Sequence, residues 1–125
     1  MPELSNINVV REILSRHGFH FSKALGQNFI VNPEVCPRIA CESGVDKDMC
    51  ALEIGPGIGV LTKELAKRAK RVLAVEIDEA LPPVLAETLA EFDNVTVLGA
   101  DVLKIDVLKT AREHFGDTPF VVCAN

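Results

Sequence analysis

The sequence contains no apolar run that approaches the roughly 20 residues of a membrane-spanning helix. Residues 1–8 also lack the basic start and the apolar stretch of a secretory signal. These absences predict a cytoplasmic protein with no membrane partner. Basic residues are not in excess, since 18 acidic and 13 basic side chains give a formal charge of −5. That balance argues against a protein that coats nucleic acid without sequence preference, but it is compatible with a local basic surface.

The sequence also lacks a C-x-x-C pair, although it contains four cysteines. No cysteine lies close in sequence to His17 and His20, so the spacing does not form a zinc-ligand set. In a cytoplasmic chain we expect such cysteines to be small buried hydrophobic residues rather than metal ligands or redox groups. We therefore predict no metal site, and we expect both histidines to be surface or packing residues.

The chain of 125 residues corresponds to one domain or part of one. The spacing of its apolar residues changes near residue 48. Before it, apolar spacing predicts a helix over 6–16 and a second helix from Asn32 to Gly44, in which Pro37 should remove a hydrogen bond or cause a bend. After it, short apolar strands alternate with helices, which is typical of an α/β protein with a parallel sheet. The predicted strands span 50–54, 71–75, 94–98 and 119–123, and the predicted helices span 59–69, 79–92 and 106–115.

The most informative segment is 53–61, which reads E-I-G-P-G-I-G-V-L. Alternate glycines between a strand and a helix allow a tight turn and let a ligand lie against bare backbone. The dinucleotide pattern G-x-G-x-x-G has its third glycine one residue later, where this sequence has Val60, and this difference disfavours a nicotinamide cofactor. The segment therefore predicts a ligand-binding loop, the alternative being a turn that only packs the helix on the strand.

Polar or glycine residues follow each of the four predicted strands. Gly55 follows the first strand, Glu76 ends the second 21 residues later, Asp101 follows the third and Asn125 follows the fourth. In a doubly wound sheet the carboxyl ends of neighbouring strands face one crevice. We therefore expect these four residues to line the same site, with Glu76 placed to accept hydrogen bonds from both hydroxyls of a ribose.

Two motifs carry a resemblance to a known family. The segment 53–59 resembles the first motif of class I S-adenosylmethionine-dependent methyltransferases. The segment 22–29, S-K-A-L-G-Q-N-F, closely resembles the N-terminal signature of the ribosomal RNA adenine dimethyltransferases. The resemblance spans 21–125 and is nearest to the small-subunit adenine N6,N6-dimethyltransferase A group, related to the Erm enzymes. It implies a Rossmann-like class I methyltransferase fold, an N-terminal helical extension over 1–48 with a cofactor-contacting loop, and the first half of the cofactor-binding domain over 49–125, which ends after the fourth strand.

The resemblance implies that S-adenosylmethionine is the cofactor and assigns residues to it. Asn28 and the backbone of Ile30 would hold its methionine end, and Gln27 would help to order that loop. Gly55 and Gly57 would let the cofactor approach the backbone.

Three acidic or amide residues complete the implied site. Glu76 would bind the ribose and Asp101 would accept a hydrogen bond from the adenine amine of the cofactor. Asn125 would be the first residue of the family's N-L-P-Y motif, where it would border the cofactor and accept a hydrogen bond from the N6 amine that is methylated. The rest of that motif is absent from the sequence, so we expect the chain to bind cofactor without a complete catalytic pocket.

The implied function is dimethylation of adenine N6 on two adjacent adenosines near the 3′ end of small-subunit ribosomal RNA, during ribosome maturation. The alternatives are an Erm-type large-subunit enzyme, a methyltransferase for another substrate, a nicotinamide oxidoreductase, and a cofactor-binding module without catalysis. We expect the full enzyme to be a monomer and the chain that ends at Asn125 to self-associate through an exposed fourth-strand edge.

Basic side chains are concentrated in one segment. Residues 63–71 hold five basic and one acidic side chain, whereas residues 73–117 hold three basic and ten acidic ones. This segregation predicts a basic helix surface that could contact RNA phosphates together with Arg11, Arg16 and Lys23. The alternative is an ordinary solvated surface.

Overall fold

The computed structural model of the chain describes residues 3, 4, 6–19 and 34–124. Its elements, in chain order, are α1 (Ile7–Arg16), α2 (Val35–Glu42), β1 (Cys50–Ile54), α3 (Val60–Arg68), β2 (Arg71–Glu76), α4 (Leu81–Thr88), β3 (Val95–Gly99), a 3-10 turn (Val102–Lys104), α5 (Val107–Phe115) and β4 (Phe120–Ala124). No helix in these described ranges has the length and apolar character needed to cross a membrane.

The four strands form one parallel sheet in the order β3-β2-β1-β4. At one end of the sheet Ile54 of β1 pairs with Val75 of β2 and Ala124 of β4, and Glu76 pairs with Gly99 of β3. All four strands therefore end along one side, called here the carboxyl edge. The predicted α/β class with a parallel sheet is confirmed.

Helices cover both faces of the sheet, because alternate residues of a strand face opposite sides. Ala51 of β1 contributes to the layer beneath α2 and α3, whereas Cys50 and Leu52 contribute to the layer beneath α5. The first layer also contains Cys36, Ala40, Val45, Leu61, Leu65, Ala66, Ala69, Val72 and Cys123, and the second contains Leu73, Val75, Ala111 and Phe115.

Helix α1 packs beside the chain that follows β1. Its cap is Asn6, whose Oδ1 accepts a hydrogen bond from the backbone nitrogen of Asn8 at 2.9 Å. Its buried face joins a third apolar cluster, which includes Ile58 of the glycine-rich segment. The other members are Leu4, Val10, Ile13, Leu14, Leu81 and Val84. Helix α1 therefore supports the segment that the sequence singles out as a ligand-binding loop.

Helix α2 differs from its prediction at its start. It begins at Val35, so Pro37 is its third residue. Backbone N–H groups in the first turn have no partner within the helix, so a proline there removes no hydrogen bond. The expected loss or bend at Pro37 is therefore wrong, while the predicted cap at Asn32 lies outside the described residues.

Helix α4 is shorter than its predicted range of 79–92. At its start, Asp78 Oδ1 accepts a hydrogen bond from Ala80 N at 2.9 Å, which forms a turn before the helix. At its end, Phe92 N donates to Leu89 O at 3.0 Å, a bond between residues three apart rather than four. Local turns therefore replace α-helix on both sides.

The expectation that all four cysteines are buried is correct for three of them. Cys36, Cys50 and Cys123 are buried free thiols, but Cys41 is exposed on α2. Cys41 lies one position after the buried Ala40, and helical geometry turns successive side chains to different faces. The two cysteines of α2 therefore do not both face the sheet.

Candidate functional site

The loop between β1 and α3 contains three glycines in the left-handed region. The φ angles of Gly55, Gly57 and Gly59 are +70°, +61° and +96°. Residues with a Cβ are disfavoured there by about 1–2 kcal/mol each, so the loop shape depends on glycine. A Cβ added to Gly55 would meet no atom within 4 Å, which leaves its backbone open to a ligand.

Gly59 has a different purpose from Gly55. A Cβ at Gly59 would lie 3.1 Å from Thr88 Oγ1 and 3.2 Å from methyl carbons of Leu85 and Leu89. The start of α3 therefore lies so close to α4 that a Cβ at Gly59 would force these neighbouring side chains to shift. This contact fixes one end of the loop, while Gly55 and Gly57 occupy the part that faces the carboxyl edge.

Glu76 connects the end of β2 to this loop. Its side chain is buried, and its Oε1 accepts a hydrogen bond from Gly57 N at 3.2 Å. Its Oε2 accepts one from Asp78 N at 3.0 Å. The carboxylate is therefore held by two backbone amides beside the loop, which is the position that the sequence predicts for a ribose-binding acid.

Asp101 lies beyond the end of β3, beside Glu76. The backbone extends the pairing past the strand, because Ala100 N donates to Glu76 O at 3.0 Å. Asp101 is partly exposed, and its Oδ1 accepts a hydrogen bond from Leu103 N at 2.9 Å and caps the 3-10 turn. Gly55, Gly57, Glu76 and Asp101 thus lie along the carboxyl edge, as predicted. Four further predicted site residues, Gln27, Asn28, Ile30 and Asn125, lie outside the described residues.

Two exposed apolar side chains stand beside these acids. Ile77 directly follows Glu76 and is 65% exposed, and Leu103 lies two residues after Asp101 and is 90% exposed. Neither residue is among the site residues predicted from the sequence. The sequence feature that could have identified them is their position one or two residues after a strand-end carboxylate. An apolar side chain there lies beyond the sheet, which cannot bury it.

Glu53 is a further residue that the sequence interpretation did not assign. It lies in β1 with 1% of its surface exposed, and it accepts a hydrogen bond from the hydroxyl of Thr62 on α3. Burial, the largest effect, together with the negative charge of Glu76 raises the pKa of Glu53 from 4.5 to about 7, although the Thr62 bond favours the ionised form. The signal for it was an acidic residue inside an apolar strand.

The predicted basic surface lies away from this site. Helix α3 runs from the glycine loop to the opposite edge of the sheet, where β2 begins at Arg71. Lys67 contacts Glu64 at 3.0 Å, and Arg71 donates to the carbonyl oxygen of His114 at 3.2 Å. On α1, Arg16 is bound by Glu87 of α4. Within the described residues, the predicted basic positions are therefore spread over two regions and largely engaged by neighbours, while Lys23 lies outside those residues.

The family model described as ribosomal RNA adenine dimethylase matches residues 18–125. Over 124 residues the chain is 45% identical to a ribosomal RNA small subunit methyltransferase A of Enterococcus faecalis, covering 98% of this chain and 42% of that protein. The chain thus spans about two fifths of the length of the curated relatives it matches.

Solved structures of methyltransferases have a fold similar to that of this chain. A dimethyladenosine transferase from Plasmodium falciparum superposes with a TM-score of 0.61 and 25% identity, over 75% of this chain and 32% of that one. The 23S rRNA methyltransferase ErmE superposes with a TM-score of 0.59 and 27% identity, over 75% of this chain and 46% of that one. The fold is that of class I methyltransferases, whose cofactor is S-adenosylmethionine. From the match over residues 18–125, the chain belongs to the ribosomal RNA adenine dimethylase family.

Proposed function

We propose that this chain binds S-adenosylmethionine along the carboxyl edge of its sheet. The observation that carries the proposal is the contact between Glu76 and Gly57, which places an acceptor for ribose hydroxyls against a loop of bare backbone. The open space beside Gly55, where an added Cβ would meet no atom within 4 Å, also supports the proposal. Asp101 supplies a carboxylate for the adenine amine, and the exposed Ile77 and Leu103 supply apolar surface for the adenine ring.

The remaining assigned residues belong to the same proposal. Asn28 and the backbone of Ile30 bind the methionine end, and Gln27 orders their segment. Asn125 borders the cofactor and accepts a hydrogen bond from the substrate amine. These roles come from the family resemblance over residues 21–125, in which Asn125 is the first residue of the N-L-P-Y motif.

For the whole protein we propose transfer of methyl groups to adenine N6 on two adjacent adenosines near the 3′ end of small-subunit ribosomal RNA, in the cytoplasm and as a monomer. The bound cofactor supplies an electrophilic methyl group. The amine of adenine is a weak nucleophile, because its lone pair is delocalised into the ring. An amide oxygen such as that of Asn125 would accept a hydrogen bond from the N–H of this amine and align the nitrogen with the methyl group.

The binding proposal is tested by titration calorimetry of this chain with S-adenosylmethionine and, separately, with NAD. We expect heat of binding with the first and none with the second. Binding of NAD alone would overturn the proposal. The Glu76→Ala variant is the control for the location of the site, because it removes the proposed ribose acceptor.

An Erm-type large-subunit enzyme is the second candidate, favoured by the superposition on ErmE. Methyl transfer by the whole protein to isolated small and large ribosomal subunits separates the two. With a labelled methyl group on the cofactor, label in the small-subunit RNA supports the small-subunit enzyme. Label in the large-subunit RNA supports the Erm-type enzyme. Cofactor binding with no transfer to either would indicate a binding module.

A further inference from the structure

Glu53 places a carboxyl group inside a largely apolar layer. In the register of the sheet it lies between Ala74 of β2 and Cys123 of β4, and its side chain is 1% exposed. A buried carboxylate is destabilising unless it is paired, so an apolar residue would be the simpler choice at this position. The site already described does not use this group.

The partner of Glu53 connects the two elements that flank the glycine loop. Thr62 is the third residue of α3, is fully buried, and donates its hydroxyl hydrogen to Glu53 Oε1. Glu53 itself lies two residues before Gly55. The pair therefore joins the strand before the loop to the helix after it.

Few titratable groups in the described part of the chain surround Glu53. They are Cys36 of α2, Cys123 of β4 and Glu76 of β2. Burial is the main cause that raises the pKa of Cys36 to about 11, and burial also raises the pKa of Cys123, which is opposed by a hydrogen bond with Ser43. Both thiols are thus neutral near pH 7, and Glu76 is the charged neighbour whose field Glu53 feels.

We propose that Glu53 is a positioning residue for the cofactor: Thr62 holds its carboxylate between the two elements that flank the glycine loop, and binding of the cationic methyl donor is coupled to release of the Glu53 proton to solvent. The inference rests on the proposed binding of S-adenosylmethionine. A positive charge brought to the loop favours ionised Glu53 by ordinary attraction, and it does so strongly in a poorly solvated environment.

The same coupling distinguishes substrate from product. S-adenosylmethionine carries a positively charged sulfonium, which becomes a neutral thioether in S-adenosylhomocysteine when the methyl group leaves. The ionised Glu53 therefore favours the donor over the spent cofactor. Because the pKa of Glu53 is raised to about 7 in the free protein, this preference should increase as the pH rises through neutrality.

Titration calorimetry in two buffers of different ionisation enthalpy tests the coupling. Between about pH 6 and about pH 8 we expect S-adenosylmethionine to bind with release of a fraction of a proton. If binding lowers the pKa of Glu53 by about one unit, the affinity should rise by about fivefold over this range, out of about tenfold over the full titration. S-adenosylhomocysteine should show a smaller change. Equal and pH-independent affinities without proton release would overturn the inference.

Variants assign the effect to this pair of residues. Glu53→Gln should abolish the pH dependence, and Thr62→Val should move its midpoint upward, because the bond that favours the carboxylate is lost. Thr62→Ser keeps the hydroxyl and should restore the midpoint. Glu64→Gln, on the same helix but paired with Lys67 and Arg68, is the matched control and should leave the pH dependence unchanged.

Carbon-13 NMR of the wild-type chain needs no variant. The Glu53 carboxyl signal should titrate near neutrality in the free protein and at lower pH with S-adenosylmethionine bound. A free-protein midpoint near 4.5, or no change on binding, would contradict the inference. Failure to bind S-adenosylmethionine at any pH would overturn the proposed function as well, whereas binding without proton release would overturn the coupling alone.

Discussion

The backbone nitrogen of Gly57 lies 3.2 Å from Oε1 of Glu76 and donates a hydrogen bond to it. The two residues are 19 positions apart in the chain, and β2 brings them together because it pairs with β1 in parallel. The acid that is expected to bind ribose therefore also fixes the loop expected to approach the rest of the cofactor. The shape of the loop and the expected recognition of ribose therefore both depend on the carboxylate of Glu76.

Glu76→Ala should weaken S-adenosylmethionine binding by tenfold or more, about 1.4 kcal/mol, because ribose loses its acceptor and Gly57 N loses its partner. Calorimetry measures the affinity. Asp78→Asn is the control, since Asp78 is exposed and its Oδ1 only accepts from Ala80 N, a bond that an amide oxygen also accepts. Equal losses in both variants would contradict a specific role for Glu76.

Gly59→Ala should destabilise the protein by about 2–4 kcal/mol, since it adds close contacts with α4 to the strain of a positive φ. Gly44→Ala has the same kind of strain at φ +79° but enters open space, so we expect a loss of only about 1–2 kcal/mol. Urea unfolding of both variants separates the two effects. A loss at Gly59 no greater than at Gly44 would show that α4 moves away easily.

Glu53 should make stability fall as pH rises. Its folded pKa of about 7 exceeds its ordinary value of 4.5, so the folded protein binds the proton more tightly than the unfolded chain does. The resulting loss in the free energy of unfolding begins near pH 4.5 and is complete just above pH 7, where it reaches about 3 kcal/mol. Urea unfolding should show Glu53→Gln gaining stability relative to wild type between pH 5 and 8, by about that amount. A constant difference across this range would count against the raised pKa.

The contact between α1 and α4 should contribute more than an ordinary surface ion pair. Arg16 donates to both carboxylate oxygens of Glu87, at 2.8 Å and 2.7 Å, and His17 Nε2 lies 3.1 Å from Oε1. We expect Arg16→Ala to lower the free energy of unfolding by about 1 kcal/mol. Arg38→Ala, which breaks a more exposed pair with Glu42, should lower it by about 0.3 kcal/mol and serves as the control.

The Arg16 contribution should also depend on pH. Burial tends to raise the pKa of Glu87, but the hydrogen bonds from Arg16 and His17 outweigh it and hold this pKa below 4.5. The stabilisation is therefore present above pH 4.5 and is lost as the pH falls through the lowered pKa. An Arg16→Ala effect that persists in strong acid would mean that packing, not charge, dominates.

The chain should self-associate through β4. Val122 is 54% exposed on this strand, which pairs only with β1 among the described strands. An apolar sheet edge invites pairing with another copy, and a charge there opposes it. Light scattering at high concentration should show a larger mass for the wild type than for Val122→Lys. Ile7→Lys changes an exposed isoleucine on α1, a helix whose buried face packs in a cluster that contains no described residue of β4, and should leave association unchanged.

Local sequence was sufficient wherever a residue's neighbours along the chain determine its conformation. Apolar spacing predicts α1 and alternating glycines predict the loop, since helical periodicity and positive φ angles are properties of a few consecutive residues. Strand-end residues such as Glu76 and Asp101 could also be assigned to one edge, because parallel topology alone brings the ends of the strands together. The boundaries of α4 could not be predicted, because turns at Asp78 and Leu89 compete with helix on both sides.

Tertiary structure alone decided which of these residues act together. The sequence identified Gly57 and Glu76 as separate candidates, but only the pairing of β1 with β2 places the amide of one on the carboxylate of the other. The packed structure also buries Glu53 and raises its pKa, because the size of that shift depends on how much water the packed helices exclude. Sequence by itself determined the fold class, the loop and the family signature; burial and long-range hydrogen bonds, which arise only when distant segments pack, decided the chemistry of the groups around the loop.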